Sequence, residues 1–190
     1  MSRFRPSHIG FFGKLPAYGD FVQTGLPEDT VAPLDFWCRV CLTESRAALG
    51  TRWERAWMTA PIWRFLLPPG ACGVQAVLGV WLPSMDKVGR HYPFILIAMA
   101  DDPASLLHGN NWLALAEAEG LAGVVEDRPH PAIAAALVTP VADAPVTTTG
   151  WWTTGSPFVR PHHLEVPALL PAATHAGGML YDHHAAEDSC

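Results

Sequence analysis

Residues 61–100 read PIWRFLLPPG ACGVQAVLGV WLPSMDKVGR HYPFILIAMA, and this stretch decides the fold. It holds three apolar runs punctuated by proline and glycine. The first, Pro61–Leu67, is bounded by prolines on both sides. The second, Gly73–Pro83, sets Val74, Ala76, Leu78 and Val80 two apart, so they share one face of a strand. The third, Tyr92–Ala100, is apolar almost throughout, as expected of a central strand covered on both faces. The connections are short, so the three runs predict an antiparallel meander.

Upstream, His8–Leu15 reads as a short strand ending at Pro16, followed by a loop with Gly19-Asp20 and Gly25-Leu26-Pro27. Leu34–Leu49 turns helical: Leu34, Trp37, Val40 or Cys41, and Ala48 recur at helical spacing, and Gly50 is a natural stop. Thr51 is placed to cap a second short helix with Trp53 and Trp57 on one face. Downstream, Asp102-Pro103 offers a capping carboxylate and then a proline at the first helical position. This predicts a helix to about Gly120, with Leu106, Leu113, Ala116 and Ala118 available to pack. Pro131–Val138 predicts one more helix, and Gly150–Gly155 an edge strand or hairpin. The last ten or so residues are acidic and contain histidine, and are expected to fray. This order predicts an α+β fold, a central and mainly antiparallel sheet flanked by helices.

The composition fits one folded domain. Of 190 residues, 49% are hydrophobic and 16% charged, which excludes a disordered chain. The net charge of −6 argues against nucleic acid as a partner. The charge is uneven: residues 1–95 carry ten Lys and Arg against seven Asp and Glu, and residues 96–190 carry two against eleven. Cations that meet an anionic partner are therefore expected in the first half. The longest apolar runs, Phe94–Ala100 and Gly73–Pro83, fall short of the ~20 residues of a spanning helix. The N-terminus has no signal-peptide pattern, so the expected compartment is the cytoplasm.

Motifs for chemistry are sparse. Cys38-Arg39-Val40-Cys41 has the spacing of a redox pair or half a zinc site, but it falls inside an amphipathic helix. Two small buried apolar residues is the favoured reading. The late histidines, His162-His163, His175 and His183-His184, lack a fixed ligand spacing, so no metal or cofactor is expected. No nucleophile elbow or phosphate loop is present. The alternative to a binding protein is a small hydrolase built on the Ser84-Asp86-Arg90 turn, with His8 or His91 as base. More informative are polar residues set beside glycines and aromatics at strand ends: Lys14, Asp20, Arg64, Ser84, Asp86, Lys87 and Arg90. They are the partner-binding candidates, because strand-end loops carry recognition. A structural account competes: Arg64 pairing with Asp86, and Asp20 capping a loop.

These segments carry a resemblance. Gly10-Phe11-Phe12-Gly13-Lys14-Leu15-Pro16 and Gly19-Asp20-Phe21 open it, and Ser45-Arg46, Pro61–Phe65 and Gly70-Ala71-Cys72-Gly73 continue it. Gly79, Pro83–Arg90, Tyr92-Pro93 and Trp151-Trp152 complete it. Together, over roughly residues 9–160, they resemble the TagF (ImpM) family of bacterial type VI secretion. The resemblance implies a longin- or profilin-like domain over 1–160, with 161–190 as an extension packing on it or trailing from it. It implies a cytoplasmic, post-translational repressor that binds a forkhead-associated scaffold protein of the apparatus. Family members act beside a kinase–phosphatase pathway, and no catalytic residues come with the family.

Overall fold

The computed structural model describes residues 3–182, and the expectations for His183, His184, Cys190 and the terminal fraying lie outside them. Seven strands form one antiparallel sheet: β1 His8–Gly13, β2 Val22–Thr24, β3 Trp63–Leu67, β4 Ala76–Leu82, β5 Phe94–Ala100, β6 Gly150–Thr153 and β7 His162–Leu164. Their order is β2-β1-β5-β4-β3-β6-β7, so the α+β expectation and the β3-β4-β5 meander are both found. All seven residues of β4 and all seven of β5 are buried, as the apolar runs required.

Alternation along the strands splits the interior into two cores. Phe12, Trp63, Phe65, Leu67, Val77, Trp81, Ile95 and Ile97 face one side. There α1 (Glu28–Leu49) and α2 (Trp53–Met58) pack, joined by the 3-10 turn Gly50–Arg52. Phe11, Leu66, Leu78, Val80, Phe94, Leu96 and Ala98 face the other. That side is covered by α3 (Pro103–Leu106), α4 (Asn110–Val125) and α5 (His130–Leu137). The segment after β7, with α6 (Ala172–Thr174) and the π turn His175–Met179, returns to the α1 side. His175 is buried between Trp37 and Trp81, which keeps its imidazole neutral and pulls its pKa down to about 3.

Several boundaries differ from expectation. The helix expected from Leu34 starts at Glu28, and Pro33 lies inside it. One lost N–H is tolerated near a start that Glu28 and Asp29 favour through the helix dipole. Val74 stands before β4 and is exposed, so it shares no face with Ala76. The Asp102 carboxylate accepts from the Ala104 N–H as expected, but that helix ends after one turn. It restarts at Asn110, where Gly109 sits against Phe4 and Leu78. Ala118 is exposed rather than packed. Thr51 caps nothing, since the 3-10 turn carries the chain into α2. Gly150–Thr153 is not at the edge: β6 lies between β3 and β7.

Gly79 shows how tightly the central strands are packed. A Cβ there meets the Phe65 ring at 2.5 Å and the Leu96 carbonyl oxygen at 2.6 Å. The backbone oxygen cannot yield without breaking the β4–β5 ladder. Gly79→Ala is therefore expected to destabilise the fold by about 1–3 kcal/mol, the usual cost of overpacking a core. Urea unfolding of both chains measures it.

Candidate functional site

The connection between β4 and β5, residues 83–93, is a closed loop built around one carboxylate. Met85 and His91 pair across it, the Asp86 N–H donates to the Arg90 carbonyl (3.1 Å), and the Gly89 N–H donates back to the Asp86 carbonyl (2.9 Å). Gly89 has φ +84°, a conformation that glycine adopts without penalty. The Asp86 side chain is fully buried, and both its oxygens are occupied. Oδ1 accepts the N–H groups of Val88 (3.1 Å) and Arg90 (2.9 Å). Oδ2 accepts Lys14 Nζ (2.9 Å) and Arg90 Nε (2.7 Å).

Lys14 follows β1 and brings its own loop into the cluster. The Ser84 hydroxyl donates to the Lys14 carbonyl (2.8 Å), the Lys87 N–H donates to the Tyr18 carbonyl (2.8 Å), and Arg90 Nη2 donates to the Gly19 carbonyl (2.7 Å). Trp57 Nε1 donates to the Ser84 carbonyl from below (3.0 Å). Burial works to raise the Asp86 pKa, but the Lys14 and Arg90 side chains and the backbone N–H groups of Arg90 and Val88 outweigh it. The carboxyl is held well below the usual carboxylate range.

The outer side of this cluster is accessible. Lys87 and Arg90 are exposed, and Val88 is 71% exposed at the tip. Phe21 stacks on Phe12, meets Tyr92 edge-on, and lies under Lys14 Nζ (5.1 Å). Beside it a cleft of about 360 Å³ opens between β2 and α1, lined by Phe21, Gln23, Asp35, Phe36 and Arg39 among others. Phe36 is 71% exposed. Asp35 is shared: it accepts from the Tyr92 hydroxyl (2.8 Å) and from Arg39 Nε (2.8 Å).

The structure brings Lys14, Ser84, Asp86, Lys87 and Arg90 together and places Asp20 exposed beside them. It corrects the expected Arg64–Asp86 pair. Arg64 binds Glu117 of α4 (2.6 Å), because alternation along β3 turns it to the opposite side from Trp63 and Phe65. Asp20 caps no loop. The hydrolase reading needed Ser84 near a histidine, but the Ser84 hydroxyl is spent on the Lys14 carbonyl. His8 is at the far end of β1, opposite Met99, and His91 packs on Trp53 and Trp57. Cys38 and Cys41 are buried mid-helix; burial raises both thiol pKa values, Cys41 to about 12, so they act as core residues. Among the described residues no group of three or more His, Cys, Asp or Glu is placed to hold an ion. Phe36 was not singled out from sequence. Its signal was an aromatic one position off the apolar stripe through Leu34, Trp37 and Cys41.

The cluster makes Asp86 sensitive to charge. Asp86→Asn leaves Lys14 buried without a counter-ion and is expected to cost about 3–5 kcal/mol. Because the folded pKa is depressed, the stabilisation is present above the unfolded value of about 3.9 and is lost as pH falls toward the folded one. Denaturant unfolding from neutral pH down to about pH 3 should therefore show the two stabilities converging in acid. A constant difference across that range excludes the linkage.

The comparisons with known proteins agree with this architecture. No curated protein matches the chain significantly. Among solved structures, that of PA0076 from Pseudomonas aeruginosa PAO1 superposes with a TM-score of 0.76 at 28% identity, covering 88% of this chain and 92% of that one. No helix among the described residues is long and apolar enough to cross a membrane. The family model described as TagF N-terminal domain, type VI secretion system-associated, matches residues 10–139. That span holds the Lys14–Asp86–Arg90 cluster and the β3-β4-β5 meander, and the chain belongs to the type VI secretion-associated TagF N-terminal domain family.

Proposed function

We propose that this protein restrains type VI secretion in the cytoplasm by binding a forkhead-associated scaffold protein of the apparatus. It acts as a sequestering partner, not as an enzyme. The observation that carries the proposal is the fully satisfied Asp86 carboxylate, which holds the 83–93 loop in one shape from within. A loop ordered before binding loses little entropy on binding. Its exposed side offers Lys87, Val88 and Arg90, with Asp20, Phe21 and Phe36 nearby. Lys14, Ser84 and Asp86 serve from beneath by fixing the loop, and Arg64 lies apart with Glu117.

The exposed cations of the loop suit an acidic face on the scaffold. The Lys87 and Arg90 charges then steer association, and the apolar groups at the tip and in the cleft supply the affinity. Lys87→Glu combined with Val88→Asp changes only exposed side chains, so the unfolding midpoint should stay at the wild-type value. Binding to the purified scaffold should weaken about tenfold or more. The wild-type association rate should also fall more steeply with salt than that of the variant. Unaltered affinity removes the loop from the interface, and a wild-type chain that never binds the scaffold removes the sequestration reading.

A further inference from the structure

Away from the 83–93 loop, Arg52 and Arg55 form a second polar feature. Arg52 precedes α2 and Arg55 lies within it, and both are exposed. Arg39, Arg64, Arg90 and Arg128 each pair with a carboxylate, whereas neither Arg52 nor Arg55 is in an ion pair among the described residues. They lie on aromatic faces instead. The Arg52 guanidinium carbon is 5.3 Å from the centre of the Tyr181 ring, and that of Arg55 is 4.7 Å from the centre of the Phe158 ring. The two rings stack at 5.9 Å, and the Asp182 N–H donates to the Phe158 carbonyl (2.7 Å) alongside them. The wall that holds the arginines is thus tied together across more than twenty residues of chain.

These groups and the buried Ala56 enclose a cavity of about 80 Å³. That exceeds the ~30 Å³ share of one water. It is well below the ~300 Å³ at which pockets for drug-sized ligands begin. The ligand is therefore a small polyatomic group and not a nucleotide or a peptide side chain of full length. A guanidinium held over a ring face spends no N–H on a carboxylate, and its donors match the oxygens of a phosphate in paired fashion. Two such forks at one small cavity suit a dianion better than a single carboxylate does. Glu54, which lies between them in sequence, is in ion-pair contact with neither arginine among the described residues.

We propose that Arg52 and Arg55, braced by Phe158 and Tyr181, bind a single phosphate group. The group is either free phosphate or the head of a phosphorylated side chain. The site is independent of the scaffold-binding loop and goes beyond that reading.

The test is titration of the full-length chain with inorganic phosphate at constant ionic strength, following the Nε–H signals of all arginines by NMR. Saturable shifts confined to Arg52 and Arg55 are expected. Arg52→Gln with Arg55→Gln should weaken binding about tenfold or more, as loss of charged hydrogen bonds implies. Arg52→Lys with Arg55→Lys keeps the charges but not the forks, and should fall between. A phosphoserine tripeptide that binds more tightly than phosphate assigns the site to a phosphorylated protein, and equal affinity assigns it to the free ion. Absence of saturation in the wild-type chain overturns the proposal, as does an equal response to acetate. Because the wild-type titration decides first, misfolding of a variant does not shelter the idea.

Discussion

A buried indole has one N–H that must find an acceptor, and this chain meets that demand repeatedly with main-chain carbonyls outside the sheet ladders. Trp37 donates to Leu170 (2.6 Å), Trp57 to Ser84 (3.0 Å), Trp63 to Met179 (3.1 Å), Trp112 to Leu137 (3.1 Å) and Trp151 to Ala168 (2.9 Å). Each acceptor lies in a connection, a helix end or the segment after β7. The rings fill the cores while their N–H groups fasten the least regular parts of the backbone. A bond of this kind contributes about 1 kcal/mol net, but leaving the donor unmet costs about 1–3 kcal/mol. Segments with little regular structure, such as residues 165–180, are therefore specified by side chains elsewhere in the chain. Trp53 donates instead to the Ser45 hydroxyl (2.8 Å), and among the described residues the buried Trp81 Nε1 has no partner, nor has the Nδ1 of the neighbouring His175.

The same device reaches the candidate site. Trp57 holds the Ser84 carbonyl, Ser84 holds the Lys14 carbonyl, and Lys14 meets Asp86, so the loop is tied to α2 and to the end of β1 through a chain of contacts. A buried ion pair of this type is a poor source of net stability, since desolvation offsets most of the attraction. Its effect is on geometry. Four donors converge on one carboxylate, and alternative loop shapes leave at least one of them unmet. That uniqueness suits the binding role proposed for the loop, since affinity depends on how little must be ordered at contact.

Much of this fold was legible because β3, β4 and β5 are buried on both faces, which forces apolar runs that prolines and glycines then delimit. The parts that escaped lack that constraint. β7 is His162–Leu164, three residues with no apolar run, and it forms because β6 offers a free edge. The break before Asn110 depends on Gly109 meeting Phe4 and Leu78, contacts from distant sequence. At the candidate site, Lys14, Ser84, Asp86, Lys87 and Arg90 stand out in the sequence because they lie near glycines and aromatics at strand ends. Their partners were not: Arg64 next to two buried aromatics gives no hint that Glu117, fifty-three residues away, is waiting on the other face.

The surplus of cations in the first half also changes meaning once the fold is known. Ten Lys and Arg there suggested a basic patch, yet Arg39 and Arg64 each pair with a carboxylate, and Lys14 and Arg90 share the single Asp86, which leaves one net positive charge in that cluster. Arg46, Arg52 and Arg55 rest on rings, with Arg46 4.3 Å from the centre of Trp53. Trp53 in turn packs on His91 at the foot of the 83–93 loop. Arg46 also lowers the His91 pKa, after burial, so that imidazole adds no fixed positive charge. Apart from Arg3 and Arg5 near the N-terminus, the first-half cations outside those carboxylate pairs lie around α2 and the loop, a smaller and better-defined region than composition implied. Charge counts along a sequence bound what a surface can attract; only the pairing inside the fold decides what it presents.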